Sequence, residues 1–247
     1  MTNLLDDISV IIAAAGKGSR SGLDYPKTLF EINGVPIIHR LIDASNHLDQ
    51  HQNIILNPSS YEPVKSSIMK INKKCKYHIQ RDQNGMGDAL LSIDESKLCS
   101  NIFLMWGDLP FISKKTINET VNFYIENNLD FAFPSLIQEQ AYTKVVRQNN
   151  NLIKVLESKE EGVDFYDFSE RDIGVFLFNK EVIFNMLKKD LPRKIGKSSG
   201  EHGFLYLLEH LVSYGYKVDA CKIALPKEAI SLNTQEDCFL LESMGSD

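Results

Sequence analysis

Two short apolar runs constrain this chain more than anything else in it. Residues 8–15 (Ile-Ser-Val-Ile-Ile-Ala-Ala-Ala) lack the alternation of a half-exposed strand and stop at Gly16. Residues 101–106 (Asn-Ile-Phe-Leu-Met-Trp) behave alike and stop at Gly107-Asp108. A strand that is apolar on both faces must be covered on both, as in a parallel sheet flanked by helices. The segments around these runs keep the same rhythm. Residues 35–45 read as a helix with Pro36 in its first turn and Ile37, Ile38, Leu41 and Ile42 on one face. Strand 53–56, helix 62–72, strand 76–80 and a helix from 87 to 93 follow. Ser113 caps a helix to about residue 127, and residues 130–135 form a further strand. This βαβα order predicts an α/β fold, a Rossmann-like, mostly parallel mixed sheet flanked by helices.

The second half is less regular. Residues 142–147 and 151–157 read as a hairpin, 173–178 and 218–223 as strands, and 181–189, 200–214 and 234–244 as helices, the last capped by Thr234. The Lys-, Gly- and Ser-rich stretch 188–201 reads as a mobile loop. A chain of 247 residues suits one large domain, and the only division suggested is near residue 138. That gives halves of about 1–137 and 138–247.

Composition removes several classes of function. The formal net charge is −6 and the pI about 5.6, which argues against a nucleic-acid partner because phosphate backbones need a basic face. Cys75, Cys99, Cys221 and Cys238 have neither zinc-site nor disulfide-framework spacing and read as reduced thiols. The longest apolar run, 10–15, is too short to cross a bilayer, and the polar first seven residues do not read as a secretory signal. The expectation is a cytoplasmic protein with no membrane partner.

Three segments carry candidate chemistry. The first is Ala13-Ala14-Ala15-Gly16-Lys17-Gly18-Ser19-Arg20, with Tyr25-Pro26-Lys27 behind it. Glycines after a buried strand let backbone N–H groups approach phosphate oxygens, and Lys17, Arg20 and Lys27 can neutralise a triphosphate. The spacing matches neither a P-loop nor the G-x-G-x-x-G dinucleotide fingerprint. The second runs from Gln80 through Gly85, Met86 and Gly87 to Asp88. A glutamine amide can pair with a base edge, and the two glycines would let the base lie against bare backbone. The third is Trp106-Gly107-Asp108-Leu109-Pro110. An aspartate directly after a buried strand suits a hard cation such as Mg²⁺, which takes one or two carboxylates plus phosphate oxygens. Glu157, Asp172-Ile173-Gly174 and Ser231-Leu232-Asn233 add carboxylates and an amide at strand ends.

Taken together and in this order, these segments resemble the sugar-nucleotide pyrophosphorylases, most closely the uridylyltransferase domain of the bifunctional N-acetylglucosamine-1-phosphate uridylyltransferase. The similarity runs over about residues 9–243. It implies the nucleotide-diphospho-sugar transferase fold and a Mg²⁺-dependent nucleotidyltransferase. Such an enzyme joins a nucleoside triphosphate, UTP favoured, to a sugar-1-phosphate and releases pyrophosphate. The resemblance assigns Ala13, Ala14, Ala15, Gly16, Gly18, Gln80, Gly85 and Met86 to the nucleotide. It assigns Arg20, Lys27 and Asp108 to catalysis, Asp108 and Asn233 to the metal, and Glu157, Asp172 and Gly174 to the sugar. Residues 199–201 and the helix after them resemble the segment that closes the sugar site.

The chain departs from the pattern at its substrate ends. Met86 replaces a threonine beside the base, Trp106 a tyrosine before Gly-Asp, and Asp172 an asparagine at the N-acetylated sugar. The acetyltransferase β-helix repeat does not occur within these 247 residues. Two other readings stay open: a cytidylyltransferase acting on another small phosphate, and a non-catalytic subunit that binds sugar nucleotides.

Overall fold

The computed structural model describes residues 7–16 and 18–244; Lys17, one of the loop cations named above, lies outside the described residues. In chain order the elements are β1 (Ile8–Ala13), β2 (Glu31–Ile32), β3 (Val35–Pro36), α1 (Ile37–Ser45), β4 (Asn53–Leu56), α2 (Tyr61–Lys70), β5 (Lys76–Ile79) and α3 (Met86–Leu91). They continue with β6 (Asn101–Trp106), α4 (Lys114–Glu126), β7 (Phe131–Gln138), β8 (Thr143–Gln148), β9 (Asn151–Glu157), α5 (Ser158–Glu161) and β10 (Ser169–Asp172). The last are β11 (Val175–Asn179), α6 (Lys180–Lys188), α7 (Leu207–Ser213), β12 (Val218–Cys221) and α8 (Gln235–Met244).

The main sheet has the order β10-β7-β11-β6-β1-β4-β5, and β12 also pairs with β7. β6, β1, β4 and β5 are mutually parallel, and β12 is parallel to β7. β11 is antiparallel to both β6 and β7, and β10 is antiparallel to β7. The mixed, mostly parallel sheet expected from the sequence is therefore present. The midpoint is no gap, because β11 from the second half inserts between β6 and β7 of the first. The two apolar runs are central: along β1, Val10 and Ile12 enter one core and Ile11 the other, all fully buried. One core lies under α1, α2, α4 and α8. The other lies under α3, α6, α7 and the β8–β9 hairpin.

Local chemistry explains the boundaries. Ser113 Oγ accepts from Thr116 N–H (3.1 Å) and starts α4 as expected. The helix predicted from residue 35 starts at Ile37, because a residue before proline avoids the helical region and Val35 stays extended, paired with Ile32. The helix predicted over 200–214 is shorter, since the backbone at 202–203 bonds elsewhere: His202 N–H donates to Asn84 O (2.5 Å) and Gly87 N–H to His202 O (3.0 Å). The stretch 188–201 is likewise tied down. Gly203 N–H donates to Lys194 O, Gly196 N–H to Glu201 O, and Ser198 N–H to Glu160 Oε2.

β10, Ser-Glu-Arg-Asp, carries no apolar signal. Polar bonds hold it instead. Glu170, 8% exposed, receives a two-pronged bond from Arg147 (2.7 and 3.0 Å) and another from Ser135 Oγ (2.7 Å). Arg147 also donates to Asp219 Oδ1 (2.7 Å), so one guanidinium joins β8, β10 and β12. No helix among the described residues is long and apolar enough to cross a membrane.

Candidate active site

β1 and β6 run parallel with Ala13 opposite Trp106, so the segments that follow both strands emerge at one sheet edge. Gly107 N–H donates to Ala13 O (2.9 Å), and a Cβ at Gly107 would lie 2.8 Å from Ala14 Cβ. Only glycine lets the two strand ends approach this closely. From the end of β4, Asn57 Nδ2 donates to Ala15 O (3.0 Å) and holds the first turn of the loop.

Lys27 enters this edge behind Pro26, whose φ is −57°. Its stem passes beneath Gly18, where a Cβ would lie 3.6 Å from Lys27 Cγ. Lys27 Nζ donates to Asp108 Oδ2 (2.6 Å), Leu232 O (3.0 Å) and Asn233 Oδ1 (3.2 Å). Asn233 is itself held, with Nδ2 donating to Ser231 Oγ (2.8 Å) and its backbone N–H to Asp237 Oδ2 (2.8 Å). Positions 27, 108 and 233, picked separately from the sequence, thus meet at one point. Asp108 Oδ1 is buried and has no hydrogen-bond partner. One unpartnered carboxylate oxygen beside a second carboxylate oxygen and an amide oxygen is a donor set for a hard cation. No group of three or more His, Cys, Asp or Glu placed to hold a metal ion occurs among the described residues. The chain would therefore give such a cation two side chains and leave the rest to phosphate or water, as Mg²⁺ prefers.

Two adjoining cavities open at this point and a third lies beside them, and Met86 borders all three. The first is walled by Ala13, Ala14, Gly16, Tyr25, Lys27 and Asp108. The second is walled by Ala15, Gly18, Arg20, Gln80, Gly85 and Asn233. Arg20 is exposed there. Gln80 Nε2 donates to Gly85 O and to Asp88 Oδ2 (both 3.0 Å), so the amide nitrogen shapes the loop. Gln83 shares this wall, and its Oε1 is buried without a partner. Sequence reasoning passed over Gln83; its only signal was its place in the same strand-to-helix turn. The glycines of this turn do a job the sequence reading did not foresee. Gly85 has φ +104°, and a Cβ there would run into His202 O; one on Gly87 would lie 2.6 Å from Gly203 O. They let residues 202–203 dock on the loop.

The third cavity contains Glu157, at the end of β9, with Trp106, Glu160 and Glu201. Burial, then the neighbouring charges of Asp172 and Glu160, push the Glu157 carboxyl up to about 7. Asp172 is 1% exposed. Its Oδ1 accepts from Thr143 Oγ (2.6 Å) and its Oδ2 from Gly174 N–H (2.8 Å). Gly174, with φ +75°, lies against the Trp106 ring, where a Cβ would be 2.7 Å from Cε3. Asp172 and Gly174, expected at the sugar, are thus absent from this wall and stand behind Glu157 and Trp106.

The sheet order and this strand-end site define the nucleotide-diphospho-sugar transferase fold. An inositol-1-phosphate CTP transferase from T. maritima superposes with a TM-score of 0.72 at 15% identity, over 97% of this chain and 96% of that one. A Bacillus anthracis protein provisionally assigned as a glucose-1-phosphate thymidylyltransferase gives 0.74 at 18%, over 97% and 96%. Residues 10–187 match the MobA-like NTP transferase domain, and the chain belongs to that family of nucleotidyltransferases. It is 30% identical over 240 residues to the bifunctional protein GlmU of Thermodesulfovibrio yellowstonii, covering 94% of this chain and 51% of that protein. The chain spans about half the length of the curated relatives it matches.

Proposed function

We propose that this chain transfers a nucleotidyl group from a nucleoside triphosphate, UTP favoured, to a sugar-1-phosphate and releases pyrophosphate. One observation carries the reading: Lys27, Asp108 and Asn233 converge where the cavities meet. The cavity of Gln80, Gly85 and Met86 suits a base, and that of Glu157 a polyol. The first half of the chain supplies most of the former and the second half most of the latter.

No protein nucleophile is required. An oxygen of the acceptor phosphate attacks the α-phosphorus in line, and the bond to the departing pyrophosphate oxygen breaks. The chain's task is positioning and charge stabilisation. Backbone N–H groups at residues 14–16 and 18–20 and the Arg20 guanidinium face the phosphates. Lys27 balances the charge that grows on the α-phosphate and on pyrophosphate. Gln80 and Gln83 face the base edge. Glu157 accepts a hydrogen bond from a sugar hydroxyl, while Asp172 acts on it from behind by charge. Asp108 and Asn233 would hold Mg²⁺, which when bound supplies charge neutralisation at the phosphate oxygens.

The test is pyrophosphate release with Mg²⁺ over a matrix of UTP, CTP, GTP, dTTP and ATP against sugar-1-phosphates. Release that needs one triphosphate and one sugar phosphate together supports the reading. Release with CTP and a polyol phosphate would favour the cytidylyl reading suggested by the T. maritima neighbour. Nucleotide-sugar binding without release would favour a non-catalytic subunit.

A further inference from the structure

Lys27 cannot hold its observed partners and a phosphate at the same time. An ammonium has three protons, and all three lie on protein oxygens: Asp108 Oδ2, Leu232 O and Asn233 Oδ1. Two of those oxygens belong to the side chains that suit a divalent cation. The group is enclosed, with side-chain exposures of 18% for Lys27 and 12% for Asp108. Only the end of the side chain need move to change partners, because Pro26 fixes the backbone before it and Gly18 lies over its stem. Lys27 also borders the first and second cavities, whose walls carry Gly16, Gly18 and Arg20, the residues placed at the phosphates, so triphosphate oxygens bound there would lie within its swing.

We infer that Lys27 is a two-position residue. In the nucleotide-free protein its ammonium takes the place of a divalent cation between Asp108 and Asn233. Triphosphate oxygens draw it off, and the cation enters with them. The ligand this pocket accepts is then the metal–nucleotide complex, and free divalent cation is refused. The inference rests on the transferase reading for the identity of the anion, but its test needs no turnover.

Mn²⁺ serves as the probe, titrated into nucleotide-free protein and followed by the electron paramagnetic resonance of the unbound ion. Wild type is expected to bind Mn²⁺ only weakly at this site. Lys27→Met keeps an apolar stem and removes the charge, and should bind Mn²⁺ at least tenfold more tightly. Adding Asp108→Asn to Lys27→Met should abolish that gain and so locate the ion. Lys115→Met removes an exposed cation on α4 that borders none of the three cavities and should leave Mn²⁺ affinity unchanged, which separates occupancy from the effect of net charge. Tight Mn²⁺ binding by the nucleotide-free wild type, abolished by Asp108→Asn alone, would overturn the inference without need of a lysine variant. Equal affinities for wild type and a folded Lys27→Met would overturn it too. Failure of the transferase reading appears elsewhere, as absence of pyrophosphate release from every substrate pair.

Discussion

Replacing Gly85 by alanine tests how firmly the base-side loop is welded to the segment that bounds the third cavity. Gly85 has φ +104° and ψ 179°, a region open to glycine almost alone, and a side chain there costs about 1–3 kcal/mol. The added Cβ also collides with His202 O, a backbone atom that cannot rotate away. Relief requires residues 84–87 and 202–203 to separate. That strains the bonds from His202 N–H to Asn84 O and from Gly87 N–H to His202 O, each contributing about 0.5–1.5 kcal/mol. The sum is a loss of about 2–6 kcal/mol, or a Tm lower by roughly 4–24 °C for a domain of this size. Gly22→Ala is the control. Gly22 also has a positive φ, +71°, but nothing lies within 4 Å of its added Cβ, so it reports backbone strain alone, about 1–2 kcal/mol. Urea unfolding followed by circular dichroism gives both values. If Gly85→Ala loses no more stability than Gly22→Ala, the seam yields freely and its assigned rigidity is wrong.

Asp108→Ala and Lys27→Ala should fold and lose about 10²–10³-fold in turnover, by analogy with the loss of one preorganised charge-stabilising group; pyrophosphate release checks both, and near wild-type rates would remove the residue from the mechanism. Glu157, with its carboxyl pushed up to about 7, binds a proton in the folded state that the unfolded chain has already released. Its contribution to stability therefore falls as pH rises from about 4.5 to about 7, by as much as about 3 kcal/mol. Glu157→Gln should raise Tm at pH 8, leave it unchanged near pH 4.5, and flatten the profile between; an unchanged difference across that range would refute the raised value. Arg147→Met strands the buried Glu170 carboxylate and should cost about 3–5 kcal/mol in urea unfolding; a loss under 1 kcal/mol would mean that water or Lys222 replaces the guanidinium. Trp106 is the only tryptophan and borders two of the cavities, so its emission should change on titration with a nucleotide sugar. A spectrum unmoved at saturation, with binding seen by calorimetry, would place the ligand elsewhere.

The apolar runs of β1 and β6 determined the architecture on their own. A strand apolar on both faces can only be interior, and the parallel rule then delivers its following loop to the sheet edge that carries ligands. Hence Gly16, Lys27 and Asp108 could be picked by position before any geometry was known. What one strand end cannot report is which other strand ends share its edge. The meeting of Asn233 with Lys27 and Asp108 spans more than 200 residues and depends on Leu232 N–H donating to Asp108 O (3.0 Å). β10 stayed invisible because bonds from Arg147, Ser135 and Thr143 hold it where hydrophobic periodicity would have marked it. The roles of the glycines followed the same division. A positive φ or a flexible turn is a local property and can be guessed, whereas the collision a Cβ would suffer at Gly85 or Gly174 is made by residues 117 and 68 positions away, His202 and Trp106. The position of Asp172 behind Glu157 is decided by the tertiary fold as well. Its carboxylate is claimed by a hydroxyl and a backbone N–H that only the tertiary fold brings to it.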